Sequence, residues 1–409
     1  MAGVKRRVLI ECGVAETRSA FLLGDETIRF WFNPARGDEA LPRPPQTGDI
    51  YLGRVRSVSK SLGGAFVDLG GDRDGFLPVG GSGQLPAEGA ALIVRVRRPV
   101  SGAKGAVLSV DWKAGLKKEG VAFHEAQAAQ ASAPAPLGDW VDPAIHAFVF
   151  AAPDAAVEAA EEIVVNDVAA AKLVQDYAVN QVSIEDNPFE TYGATEALER
   201  SLERVIRLSG GARLAFDEAE AMTVVDIDSG GAADGASGRL NDKVNIAAAK
   251  ALPAEFSRRG VGGRIVVDFL PPSGAEARKK LTEILIQASR GVFEMRLGKL
   301  SADGVYDMTA PRTQLSLLER ATEQAGDGWP VPGRRFTLDW AAKSAIGALE
   351  GALATRPSAR PRLIVGASIE AYLRTKRPQW AGRLAARYGA RFTIAPDDKL
   401  EERSFDLAE

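Results

Sequence analysis

Cysteine and histidine are nearly absent. Cys12 is the single cysteine, and His124 and His146 are the two histidines, in 409 residues. One thiol excludes an internal disulfide framework and any Cys-x-x-Cys zinc site. Two isolated histidines argue against histidine-centred catalysis. Long apolar runs are missing too, since none approaches the roughly 18 residues of a membrane span. The start, MAGVKRRVLIECGV, lacks the apolar region of a signal peptide. These absences predict a cytoplasmic protein. The net charge of −3 decides nothing about nucleic acid, because a basic patch can sit on an acidic protein. For catalysis, the tools left are carboxylates and a hard cation. What is present, 45% hydrophobic and 26% charged residues, is ordinary globular material long enough for several domains.

Residues 1–35 alternate apolar stretches with turns and predict a small hairpin sheet. From Asp49 to about Val110, short strands with glycine turns predict a small barrel. AQAAQASAPAPLG, Ala126–Gly138, reads as a linker or exposed loop. HAFVF and EEIVV read as strands, and DVAAAKLVQDYA and ATEALERSLERVIRL as helices. In the second helix Leu198, Leu202, Val205 and Ile206 form the apolar stripe. A hairpin is expected around Asp217–Glu220, and a helix over Asn241–Arg259 with Val244, Ala248, Leu252 and Phe256 on one face. The last 75 or so residues read as a small α/β unit.

Two strands end in acid. AMTVVDIDSGG puts Asp226 and Asp228 on one strand face and Val225 and Ile227 on the other. GGRIVVDFLPP delivers Asp268 at the end of a second strand. If these strands are neighbours, Asp226 and Asp268 converge, and a divalent cation between them relieves their repulsion. Mg²⁺ takes one or two carboxylates and fills its remaining positions with water and phosphate oxygens. The alternative is that each aspartate caps a turn. In the barrel, Phe66 and Phe76 stand near Arg73, Arg54, Arg56 and Lys60. That pattern fits either a stacking platform for single-stranded nucleic acid or two core residues.

The stretch GDIYLGRVRSVSKSLGGAFVDLGGDRDGFLPV resembles the S1 RNA-binding domain of the ribonuclease E/ribonuclease G family. ALERSLERVIRLSGGARLAFDEAEAMTVVDIDSG and NDKVNIAAAKALPAEFSRRGVGGRIVVDFLPP resemble its catalytic domain. LIVGASIEAYLRTKRPQWAGRLAARYGARFTIAPDD is similar to its small domain. The resemblance covers most of the chain in the same order. It implies an α+β multidomain protein: an RNase H-like domain interrupted by an S1/OB β-barrel, then a DNase I-like catalytic domain and a small α/β domain. The boundaries implied are 1–44 and 141–205 for the RNase H-like parts, 45–112 for the barrel and 113–140 for a linker in place of the family's 5′-sensor. The catalytic domain takes 206–325 and the small domain 334–409. The implied activity is Mg²⁺-dependent endonucleolytic cleavage of single-stranded RNA, with Mn²⁺ as an alternative cation. Carried onto this chain, the metal-binding pair is Asp226 and Asp268. Asp228 and Asn245 join them at the catalytic site, and Phe66, Phe76, Arg73, Lys104 and Arg312 are implied RNA contacts.

The chain also departs from the family. Asp228 stands where an asparagine is usual, Pro271 where an acid often follows the second aspartate, and Leu69 where the S1 surface carries an aromatic. No cysteine lies near Glu319–Gly333, so no zinc is expected, and a zinc-linked dimer is not expected either. With the 5′-sensor segment replaced, no preference for 5′-monophosphate ends is expected. A rival reading is an RNA-binding protein of the same family with weakened catalysis. A nucleotide phosphohydrolase is disfavoured because no phosphate loop is present.

Overall fold

The computed structural model describes residues 4–35, 45–79, 84–100, 105–113, 118–137, 160–177, 181–230, 238–325 and 333–408. The expected HAFVF strand and Lys104 lie outside these residues. The N-terminal strands are β1 (Arg6–Cys12), β2 (Glu16–Leu23) and β3 (Glu26–Pro34), joined as antiparallel hairpins.

The chain then leaves this sheet for a barrel of β4 (Ile50–Ser59), β5 (Gly64–Asp68), β6 (Gly75–Pro78), β7 (Ala91–Arg98) and β8 (Val107–Ser109). A β4–β5 pairing closes the order β4-β5-β6-β8-β7, with β6 and β8 parallel, which is an OB-like connectivity. Alternate residues fill the interior: Ala65, Val67, Leu77, Val94, Val96 and Leu108 are buried. The stretch read as a linker instead contributes to two elements. Ala126–Gln130 closes the helix Lys118–Gln130, and β9 (Ala135–Leu137) pairs with β4. Alanine is the best helix former, and β9 buries Leu137 beside Ile50 and Leu52.

Strands β10 (Glu162–Val165) and β11 (Gln181–Ile184) rejoin the first sheet in parallel beside β1, giving the order β3-β2-β1-β10-β11. Between them the helix Val168–Tyr177 buries Ala170, Ala171 and Val174 against this sheet. The stretch ATEALERSLERVIRL is not one helix. The helix spans Ala194–Arg200, and Val205–Arg207 is strand β12. Leu198 and Leu202 keep helical spacing, but the β-branched pair Val205–Ile206 suits a pleat, and Ile206 pairs with Leu214.

The second sheet runs β12-β13-β14-β15-β17-β16. Its other members are β13 (Arg213–Glu218), β14 (Thr223–Asp228), β15 (Gly263–Asp268), β16 (Arg296–Leu300) and β17 (Val305–Ala310). The helix Gly238–Arg259, called the long helix below, lies on one face. Its stripe of Val244, Ala248, Leu252 and Phe256 packs in one core with Val225, Ile227, Ile265 and Val267, as the spacing predicts. The helix Ala275–Ser289 adds Leu281 and Leu285.

The C-terminal unit opens with a hairpin of β18 (Thr322–Gln324) and β19 (Arg334–Phe336), then the helix Leu338–Thr355. Its sheet is β21 (Thr393–Pro396), β20 (Arg362–Val365) and β22 (Phe405–Ala408), in that order. The stretch IEAYLRTKRPQWAGRLAARYG divides into helices Ala367–Lys376 and Gln379–Tyr388, because proline disfavours helical geometry at the residue before it, Arg377. Val14 N donates to Glu350 Oε2 at 2.8 Å and Arg387 to the Cys12 carbonyl at 2.6 Å, tying this unit to the β1–β2 turn. Arg258 donates to the Thr27 carbonyl at 2.7 Å, tying the long helix to β3. Among the described residues no helix is long and apolar enough to cross a membrane.

The helix–sheet core sets the position of everything on the sheet's other face. Leu252→Ala, at a fully buried site, is expected to cost about 2–5 kcal/mol, read by chemical denaturation. A cost below about 1 kcal/mol would contradict this packing.

Candidate active site

Strands β14 and β15 run parallel and adjacent, and their register sets Asp226 directly opposite Asp268. Neighbouring strands lie about 4.8 Å apart, so the two carboxylates share one patch. Both side chains are exposed on the sheet face opposite the helices. A carboxylate in the middle of a strand is tolerated because that face is open to water while Val225, Ile227, Ile265 and Val267 bury the other.

The same face carries three more aspartates, and each is held by an arginine. Arg204 is bidentate to Asp217 at 2.6 and 2.7 Å. Arg264 spans both oxygens of Asp307 at 2.9 and 3.3 Å. Arg213 donates to Asp228 Oδ2, while Gly230 N donates to Asp228 Oδ1 at 2.8 Å. The Gly230 amide and the Arg213 guanidinium hold the Asp228 carboxyl below the usual carboxylate range. Asp226 and Asp268 are the exceptions: among the described residues neither has an ion pair or a side-chain hydrogen bond. Arg204 feels Asp226 at longer range, since Asp226 adds to the effect of Asp217 in favouring the charged guanidinium. Asp228 thus caps its turn, as the alternative reading held, whereas Asp226 and Asp268 face each other in the open.

Two unpartnered carboxylates on adjacent strands fit a hard divalent cation that keeps most of its water. No group of three or more acids, histidines and cysteines suited to a metal occurs among the described residues.

The loop after Asp268 is pinned by the long helix. Asn245, 2% exposed, donates to the Leu270 carbonyl at 2.8 Å and accepts from the Leu270 amide at 3.1 Å. Asn241, one turn earlier, donates to the Pro271 carbonyl at 3.2 Å. Asp242 accepts from Ser273 N at 3.0 Å and from its hydroxyl. Asn245 is therefore a buried clamp on the backbone that follows Asp268. Pro271 presents only its carbonyl to this clamp, so it takes no part through its side chain.

On the barrel, Phe66 and Phe76 are register partners with ring centroids 5.4 Å apart. Both are half-buried on the outer face, outside the core made by their neighbours Ala65, Val67 and Leu77. Gly64 makes room for this pair: a Cβ there would stand 2.5 Å from the Phe76 ring. Arg73 is exposed nearby in sequence, and Arg56 pairs with Asp68 at 2.8 Å. Leu69 is not on this surface. It is 4% exposed in the barrel core, so its size reflects packing and not weakened stacking. Arg312 sits at the other end of β15, paired with Glu319 at 3.0 Å and donating to the Gly262 carbonyl at 3.4 Å. Six residues of strand, about 20 Å, separate it from Asp268.

Sequence reasoning missed Arg204, Arg213 and Arg264. Arg213 was within reach, because a hairpin turn at Ala219–Met222 places it opposite Asp228. The other two depend on side-chain reach that no spacing rule supplies.

A family model described as the Ribonuclease E/G family matches residues 102–313, a little over half of the chain. The chain belongs to the ribonuclease E/G family. Ribonuclease G of Escherichia coli (strain K12) is 32% identical over 133 residues, which cover 32% of this chain and 27% of that protein. Ribonuclease E of Haemophilus influenzae is 22% identical over 460 residues, covering 88% of this chain and 48% of that one. A chloroplastic ribonuclease E/G-like protein of Arabidopsis thaliana is 30% identical over 147 residues, covering 34% and 14%. The chain thus spans about a quarter of the ribonuclease G and about half of the ribonuclease E it matches. The family match takes in both acidic strands and the long helix, and stops where Arg312 meets the next segment.

Asn245→Ala is expected to cost about 1–3 kcal/mol, because it strands the part-buried Leu270 backbone groups. Hydrogen exchange at the Leu270 amide should accelerate while that of the β14 amides stays unchanged. Unaltered exchange at Leu270 would mean that the clamp does not hold the loop.

Proposed function

We propose that the chain is a Mg²⁺-dependent endoribonuclease acting on single-stranded RNA, with Mn²⁺ able to substitute. The observation that carries this is the register pairing of Asp226 with Asp268, two acids without partners on a face where the other strand aspartates are tied to arginine. A Mg²⁺ held there would supply an activated water and offset charge at phosphorus. Asp226 and Asp268 hold it, and Asn245 keeps the backbone after Asp268 in place. Phe66 and Phe76 offer ring faces to successive bases, a contact that every base can make. Arg73, and Lys104 beyond the described residues, would add charge along the strand's path. Arg312, engaged with Glu319 at the far end of β15, acts through structure.

The strand orders support the finer fold reading. The order β3-β2-β1-β10-β11, three antiparallel strands followed by two parallel ones, supports the reading of an RNase H-like sheet interrupted by an S1 barrel. The mixed sheet around β14 and β15, covered by helices on one face, supports the reading of this region as the DNase I-like domain. The helix Lys118–Gln130 and β9 occupy much of the stretch assigned to the family's 5′-sensor. The rival, an RNA-binding protein with weakened catalysis, rested on Asp228 and Pro271. The grip of Arg213 and Gly230 on Asp228 offsets the extra charge and favours the enzyme.

Asp226→Asn and Asp268→Asn should each abolish Mg²⁺-dependent cleavage of a labelled single-stranded RNA while leaving its binding largely intact. Near-native cleavage by either variant would defeat the assignment. Phe66→Ala and Phe76→Ala should each weaken RNA binding by about 1–3 kcal/mol whatever the sequence, with the melting temperature little changed. Unaltered affinity in folded variants would return both rings to a packing role.

A further inference from the structure

The third aspartate of the face lies two residues from Asp226 on the same strand face, about 7 Å along the strand. A carboxylate there is the nearest candidate for a third ligand to a cation held by Asp226 and Asp268, yet each of its oxygens already accepts a hydrogen bond that fixes its orientation. Oδ1 accepts from Gly230 N at 2.8 Å and Oδ2 accepts from Arg213, its register partner on β13. The Gly230 end of this grip is a backbone amide. Gly230 has φ of +66°, and a Cβ there would stand 2.1 Å from the Gly211 carbonyl oxygen, so only glycine fits beside the β12–β13 turn. The Arg213 end is a side chain, and it alone can be removed without rebuilding backbone.

The geometry points to Arg213 as a positioning residue that turns Asp228 away from the cation and limits the site to two carboxylates. This rests on the reading of Asp226 and Asp268 as cation ligands. Ligand number matters because each added carboxylate displaces a water and binds the ion more tightly. A cation meant to carry water and phosphate oxygens in its open positions is best held by few protein ligands. Arg213 keeps those positions free. Without it, Asp228 keeps only its Gly230 contact, and Oδ2 swings to the ion.

The test uses Mn²⁺ alone as probe, with binding followed by electron paramagnetic resonance and inner-sphere water counted by proton relaxation. Arg213→Gln should tighten Mn²⁺ binding by about tenfold and remove about one inner-sphere water. Arg213→Lys should stay near the native values, and Arg213→Gln with Asp228→Asn should restore both. A gain in affinity with the water count unchanged would reduce Arg213 to a through-space charge and overturn the proposal. So would native affinity in Arg213→Gln while Asp226→Asn loses the ion. If the unaltered protein binds no Mn²⁺, or Asp226→Asn binds it as before, the two-carboxylate site itself falls and takes this proposal with it.

Discussion

The parallel pairing of β14 with β15 is the constraint on which the site depends. Its register sets Asp226 opposite Asp268, and a slip of one residue would turn one of them into the helix-covered core. That register is enforced from behind. Val225 and Ile227 of one strand and Ile265 and Val267 of the other are buried under Leu252 and Phe256 of the long helix. Apolar burial thus chooses the alignment, and the alignment brings two like charges together. The sheet tolerates this because the outer face is wet, and because the arginines pair with the remaining strand aspartates without forming an ion pair with these two.

The long helix serves the site in two ways. Its apolar stripe holds the register, while Asn241, Asp242 and Asn245 on its first turns fasten the loop that follows Asp268. A single element therefore couples the core to the position of the second acid. The barrel is a separate device: its interior is closed by alternating small and branched residues, and Phe66 and Phe76 are left outside.

Much of this was legible in the sequence where local pattern and tertiary packing agree. The alternation around Asp226, the helical stripe through Val244 and Phe256, and the glycine-punctuated barrel strands all read correctly, because period and burial coincide there. Reading failed where two periods overlap or where a neighbour decides. Val205 and Ile206 fit the stripe begun by Leu198, yet pairing with β13 made them a strand. Ala126–Gly138 has the composition of a linker, but Leu137 found the barrel's apolar flank. Leu69 was placed on the surface by resemblance and lies in the core. The arginine partners of Asp217 and Asp307 come from side-chain reach, which sequence alone does not show.

The account's central claim is that Asp226 and Asp268 together hold one divalent cation. Anomalous diffraction from crystals soaked in Mn²⁺ tests it directly. The claim predicts an anomalous peak within bonding distance of a carboxylate oxygen from each residue and out of bonding distance from Asp228. Well-ordered carboxylates with no peak between them, or a peak elsewhere on the chain, would contradict it.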